Sequence, residues 1–261
     1  MKFLAKWRVR KPADDAETVY VSEKFGVRSL HLGSDTVQSS MRMAKPFDLE
    51  LSYTRSMMGF MLFNAKPQRV LMIGLGGGSL AKFIYRQLPW AALRVVEISP
   101  RVVAIARQYF HVPPDDARFS VIVGDGAEHA ARDDDSVDLM VVDGYDAESH
   151  VEALSDKVFY QNCRKRLGPG GILVVNLWGG DRQFNETLQR IESVFPATAC
   201  LPAEKPGNVI VFAFRDSPGN PRWDDLAQRA LALQQQHGLE FTRFVHGLRK
   251  MNRHDEHRLM I

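Results

Sequence analysis

Val70-Leu71-Met72-Ile73-Gly74-Leu75-Gly76-Gly77-Gly78-Ser79 decides the fold: an apolar run stops at a glycine-rich turn and a helix-like pattern follows. Four apolar residues in succession suit a strand buried on both faces, and the glycines permit a tight turn into a helix. A second apolar run, Leu93-Arg94-Val95-Val96, ends on Glu97. An acid about 20 residues beyond such a turn is where nucleotide-binding folds carry the carboxylate that holds a ribose. Together they point to a nucleoside-type ligand at the carboxyl ends of a parallel sheet. Taken singly, each has a structural use: the glycines in close helix packing, Glu97 as a partner for the helix that opens at Ser99-Pro100.

Working outward, strands and helices alternate beyond Pro67 at the rhythm of a parallel α/β sheet. Strands are expected at Val70 to Leu75, Arg94 to Ile98, Phe119 to Val123, Val137 to Val142 and Ile172 to Leu177. Helices are expected at Ser79 to Leu88, Pro100 to Phe110, Asp156 to Leu167 and Gln183 to Val194, with Gly168-Pro169-Gly170-Gly171 stopping the third. Thr198 to Leu201 and Asn208 to Phe214, joined by a turn at Lys205-Pro206-Gly207, form an antiparallel pair. The fold class is therefore α/β, a Rossmann-like methyltransferase fold: a mostly parallel seven-stranded sheet closed by an antiparallel hairpin.

Upstream, the alternation of Val19, Val21, Phe25, Val27, Leu30 and Leu32 predicts a small β-hairpin. Gly33 to Ser40 reads as a polar, turn-rich stretch and Leu51 to Phe63 as a linking helix. After Pro218, Trp223 to Gln236 and Phe241 to Met251 read as helices that pack on the sheet or on a partner subunit. The chain divides into an N-terminal β unit with its linking helix (1–65), a Rossmann-like core (66–216) and a helical tail (217–261).

A chain of 261 residues with 45% hydrophobic content holds a sizeable core, which excludes disordered and fibrous classes. A net charge of +3 gives no general attraction to nucleic acid. The basic residues Lys2, Lys6, Arg8, Arg10 and Lys11 at one end and Lys250, Arg253 and Arg258 at the other read as solvated termini, with phosphate or RNA contact as the alternative. Cys163 and Cys200 are too few and too distant for a disulfide framework or a zinc site, which fits a reduced, cytoplasmic setting. No stretch approaches the ~18 apolar residues of a membrane span, so no membrane partner is expected. No metal site is expected either, because His254 and His257 stand in a charged tail without a nearby cysteine.

Two further acids fall at strand ends. Gly124-Asp125-Gly126-Ala127 follows the third strand, where Asp125 suits the exocyclic amino group of adenine or the N-cap of a helix starting at Gly126. Asp143 ends the fourth strand and Asp146 follows three residues later; acids so close repel unless a cation or a shared proton satisfies them. Trp178, after the fifth strand, lines a pocket or packs on the next helix.

These residues resemble the spermidine synthase (polyamine aminopropyltransferase) family of adenosylmethionine-dependent transferases. The resemblance runs from Leu32 to Gly171 through Thr36-Val37-Gln38-Ser39, Tyr53, the glycine loop, Val96-Glu97-Ile98, Gly124-Asp125-Gly126-Ala127-Glu128 and Val141-Val142-Asp143-Gly144-Tyr145-Asp146. Val158-Phe159-Tyr160 and Leu167-Gly168-Pro169-Gly170-Gly171 also fit the pattern. It implies a homodimeric enzyme that moves an aminopropyl group from decarboxylated S-adenosylmethionine to a small amine such as putrescine. The alternatives are a methyltransferase using intact S-adenosylmethionine, or a nucleoside-binding homologue without catalysis. By the same resemblance, Gln38, Gly74, Gly76, Gly78, Glu97, Ile98, Asp125, Gly126 and Ala127 hold the nucleoside. Asp143 deprotonates or orients the attacking amine, and Asp146 helps bind the cationic substrate. Where the family places an Asp in the glycine loop, against the donor's free amine, this chain has Gly77. Arg55, in place of a family Glu, pairs with the carboxylate of intact adenosylmethionine or serves as a surface or dimer contact.

Overall fold

The computed structural model describes residues 19–33, 37–132, 135–144, 152–204 and 207–261. The basic run before residue 19, Thr36, the second acid Asp146 with its neighbours Tyr145 and Ala147, and the Lys205-Pro206 turn lie outside the described residues.

Seven strands form the main sheet in the order β6-β5-β4-β7-β8-β10-β9. Its parallel part comprises β4 (Arg69–Ile73), β5 (Ala92–Glu97), β6 (Phe119–Val123), β7 (Val137–Val142) and β8 (Leu167–Trp178). The hairpin of β9 (Ala197–Pro202) and β10 (Asn208–Phe214) closes it, with β10 antiparallel to both neighbours. This is the sheet expected from the sequence. The order reverses between β4 and β7, the switch point where a doubly wound sheet opens a crevice at its carboxyl edge.

Strand alternation sorts the core into two layers. Val70 and Met72 of β4, Leu139 and Val141 of β7, and Ile172 and Val174 of β8 face one way. They pack with α2 (Ser79–Gln87), α7 (Trp223–His237), α8 (Phe241–Met251) and the methionine-rich segment Met57 to Leu62. Leu71, Ile73, Met140, Val142, Leu173 and Val175 face the other way, against α5 (Lys157–Arg166) and α6 (Phe184–Val194). The two C-terminal helices thus lie on the sheet: Leu226, Phe241, Phe244 and Leu248 are buried in the first layer.

Three local expectations need correction. Val37–Arg42 is a third strand, β3, completing an antiparallel unit with β1 (Val19–Lys24) and β2 (Val27–Leu32). Its serines are buried because they find hydroxyl partners, Ser40 with Ser29 at 3.1 Å and Ser39 with Ser79 of α2 at 3.3 Å. The linking helix is broken into α1 (Ser52–Met57) and a 3-10 turn at Met58–Leu62. Gly59 marks the break: a Cβ there would lie 2.9 Å from the Phe212 ring of β10. Finally, Leu167 already pairs with Val137, so the glycine run beyond α5 opens β8, and a register shift between Val137 and Leu139 absorbs it.

Candidate active site at the carboxyl edge of the sheet

The strand periodicity that builds the first core layer also aims Glu97, Asp143 and Asn176 at one side of the carboxyl edge. Each continues the register of buried apolar residues, Val95, Val141 and Val174 respectively, and stands where the apolar run ends.

The glycine turn carries β4 into α2. Gly74 has φ +92°, and a Cβ at this position would collide with the Asp143 carbonyl oxygen across the switch point. Gly78 caps α2 in the left-handed region, φ +69°. Glu97, 8% exposed, ties itself to this turn: its Oε2 accepts from Leu75 N at 2.8 Å and its Oε1 from Ser99 N at 3.0 Å. Both oxygens keep a lone pair, so the carboxylate is held rigid while it can still accept two hydroxyls. Ser99 Oγ caps α3 (Pro100–Tyr109) by accepting from Val102 N, and Glu97 in turn holds the cap residue through its backbone N–H, so Glu97 does serve as a partner for this helix start.

Asp125 does cap α4 (Gly126–Ala131): its Oδ1 accepts from Ala127 N at 2.7 Å and Glu128 N at 3.1 Å. Oδ2 stays outside the cap, and a cap and an amino-group acceptor are compatible in one carboxylate. Gly126 packs on the Ile73 side chain so closely that a Cβ would overlap it, which holds this turn against the end of β4. Next to Glu97, Ile98 is 69% exposed, and Val123, which pairs with Glu97 in the sheet, is 51% exposed. Two large apolar side chains left open beside a buried acid fit the flat face of a base next to its ribose. A nucleoside therefore fits the residues present: Glu97 for the sugar, Ile98 and Val123 for the ring, Asp125 at its edge.

Asp143 heads a polar chain. Asn176 donates from Nδ2 to Asp143 Oδ1 at 2.9 Å, and Tyr53 of α1 donates from its hydroxyl to Asp143 Oδ2 at 3.2 Å. Asn208 of β10 in turn donates to Asn176 Oδ1 at 2.9 Å. Burial pushes the Asp143 carboxyl above the usual carboxylate range, and the Asn176 and Tyr53 hydrogen bonds hold it partly back. Gln38 sits on β3 with its carbonyl 3.4 Å from the same Tyr53 hydroxyl, so the N-terminal unit borders the Asp143 side of the cleft.

Arg55 does not reach this cleft as a free cation. Its Nε donates to Glu240 of α8 at 2.7 Å and its Nη1 to the Leu49 and Glu50 carbonyls at 3.2 and 2.8 Å. Two partners were not anticipated. Asn176, 3% exposed, is the one amide in the run Ile172 to Leu177, a signal present in the sequence. Lys82 of α2, 1% exposed, anchors the glycine-loop helix to the N-terminal unit: Nζ donates to the Pro46 and Phe110 carbonyls at 2.7 and 2.6 Å. No pattern marked it, since its helix reads as amphipathic with or without it. Among the described residues no group of three or more His, Cys, Asp or Glu side chains could hold a metal ion. No described helix is long and apolar enough to cross a membrane.

Comparison with known proteins agrees with this geometry. Residues 50–217 match the spermine/spermidine synthase domain. A polyamine aminopropyltransferase of Chromobacterium violaceum is 42% identical over 255 residues, 97% of this chain and 98% of the relative. Among solved structures, a spermidine synthase in complex with the transition-state analogue AdoDATO superposes with a TM-score of 0.68 at 21% identity, over 80% of this chain and 74% of that one. Human methyltransferase-like protein 13 in complex with SAH superposes with a TM-score of 0.65 at 24% identity, over 78% of this chain and 96% of that one. At those identities the two structures speak for the fold. The domain match and the relative spanning nearly the full chain speak for descent, and on them the chain belongs to the spermine/spermidine synthase family.

Proposed function

We propose that this transferase moves an aminopropyl group from decarboxylated adenosylmethionine to a primary diamine of the putrescine type, with Asp143 as the base. The observation that carries the reading is the Asp143 carboxylate, half-buried at the switch point and held from both sides by Asn176 and Tyr53. The donor, when bound, supplies an electrophilic propyl carbon joined to a positively charged sulfur. An ammonium at Asp143 is drawn in by the carboxylate and gives up a proton to it, which frees the nitrogen lone pair for attack. The new C–N bond forms as the C–S bond breaks, and methylthioadenosine leaves. A carboxyl raised by burial is a better base near neutral pH than an ordinary one, because its affinity for the proton is closer to what the task needs.

The nucleoside end falls to Glu97, Asp125, Ile98, the glycine turn and Gln38, with Gly126 and Ala127 closing the edge. For the donor form, the engagement of Arg55 with Glu240 supports the decarboxylated molecule, since that cation is not left for a carboxylate. Asp146 completes this reading as a second anionic partner for the cationic acceptor.

The test is incubation of the protein with putrescine and either donor, followed by mass analysis of the amine. Spermidine formed from decarboxylated adenosylmethionine is the expected product. A methylated amine from intact adenosylmethionine, or tighter calorimetric binding of the intact donor, would overturn the assignment in favour of a methyltransferase.

A further inference from the structure

We infer that Trp178 is the wall of the acceptor channel and selects a slender, cationic chain; this rests on the aminopropyl-transfer reading and names a residue for its second substrate. Three observations place it. Residues 174, 176 and 178 of β8 share one sheet face, so beyond buried Val174 and the Asn176 that holds Asp143, Trp178 is the next side chain outward on that face. It is also opposite Asn208 in the antiparallel pair, and Asn208 donates to Asn176. The indole stands at the end of the same polar chain that terminates on the base.

The ring is seated. A Cβ on Gly207 would overlap the six-membered edge of the indole, and one on Gly180 would come within 2.6 Å of its Nε1. Gly179 N donates to the Gly207 carbonyl and closes the strand ends beneath it. Two side-chain-free positions thus make a bed for one side of the ring, yet 46% of the residue stays exposed. A tryptophan that is fixed and half open on the strand face that carries Asn176 offers an apolar surface with a negative quadrupole to a cationic chain.

A diamine needs such a surface. When one ammonium gives its proton to Asp143, the methylenes and the second ammonium still require a place. Arg55 and Arg243 already draw on the nearby acids: Arg55 bonds Glu240, and both arginines pair with Glu204. The indole face supplies what those carboxylates cannot, packing for the methylenes and cation–π attraction for the distal ammonium.

The experiment titrates putrescine calorimetrically into the full-length protein saturated with methylthioadenosine, for wild type and the variants Trp178→Ala, Trp178→Leu and Trp178→Phe, alongside steady-state kinetics. Trp178→Ala should raise the putrescine Kd and KM about five- to thirtyfold, the range of a cation–π contact of ~1 to 2 kcal/mol. Trp178→Phe should recover most of the affinity and Trp178→Leu should not, while kcat stays within a few-fold and the methylthioadenosine affinity is unchanged. Equal putrescine binding by wild type and Trp178→Ala would overturn this inference alone, as would a matched loss of donor affinity, which signals a fallen strand end. A wild type that takes up no putrescine beside methylthioadenosine would overturn the aminopropyl reading, and this inference with it.

Discussion

Asn176 Nδ2 lies 2.9 Å from Asp143 Oδ1, and its own Oδ1 accepts from Asn208, so one strand amide fixes the Asp143 carboxylate and is itself fixed by the next strand. An amide oriented by a donor on its far side cannot flip its NH2 away from the carboxylate, so a neutral partner suffices to hold the Asp143 geometry on this side.

Replacing that amide should change a proton affinity. The Asn176 hydrogen bond favours the charged form of Asp143, so its removal lifts the carboxyl further above the ordinary carboxylate range. In Asn176→Ala, the acidic limb of the kcat profile should move toward higher pH. Tyr53→Phe should move it less, since its bond is the longer at 3.2 Å. An unmoved limb in both variants would show that Asp143 is not the titrating base.

Asp143→Asn should separate activity from stability. Loss of general-base assistance typically costs about 10² to 10⁴ in rate, so turnover should fall by at least about a hundredfold. Stability should move the other way. A carboxyl raised in the folded state binds more protons there than when unfolded, so the folded protein loses stability as pH rises from the ordinary carboxylate range through the raised value. The amide of the variant carries no charge, and its melting temperature at pH 7 should equal or exceed that of wild type.

Glu97→Gln keeps size and removes charge. An amide NH2 would face Leu75 N or Ser99 N, both donors, so the glycine turn loses an acceptor as well as the anionic ribose contact. Calorimetry with methylthioadenosine should register a drop of about ten- to a hundredfold, the worth of one charge-assisted contact.

Lys82 gives the molecule an alkaline stability signature. Burial lowers its ammonium from 10.5 to about 8, and among the described residues no carboxylate pairs with it. Between those values the unfolded chain binds the extra proton, so wild-type stability should rise with pH across that window, by on the order of 3 kcal/mol. Lys82→Met should lack this rise, and should be less stable by about 1 to 3 kcal/mol above it because the Pro46 and Phe110 carbonyls lose their donor. Thermal melts of both proteins from pH 7 to 10.5 read the difference.

The sheet, its antiparallel close and the strand-end acids could be read from the sequence because each depends on local pattern: a glycine turn after an apolar run, an acid where the next run stops. What escaped depends on pairs distant in the chain. Ser39 and Ser40 read as a turn, and only their partners Ser79 and Ser29 make a buried strand possible. Arg55 read either as a partner for a donor carboxylate or as a surface or dimer contact, and its actual partner, Glu240, lies far along the sequence. The Asp125 alternatives, cap or amino-group acceptor, resolve into a cap that leaves one oxygen over.

Gly77 stands where the family motif carries an acid, with the position of its missing Cβ 2.7 Å from Ser39 Oγ and 2.9 Å from the Phe110 ring. Acquiring a carboxylate here is thus not one step for an evolving lineage or for an engineer. The substitutions are ordered: position 39 or 110 must shrink first, since Gly77→Asp introduced alone would push β3 away from the turn. A loop carboxylate and the bulk at positions 39 and 110 are thus coupled across different parts of the fold, and an exchange of the loop alone should cost stability whatever it does for the chemistry.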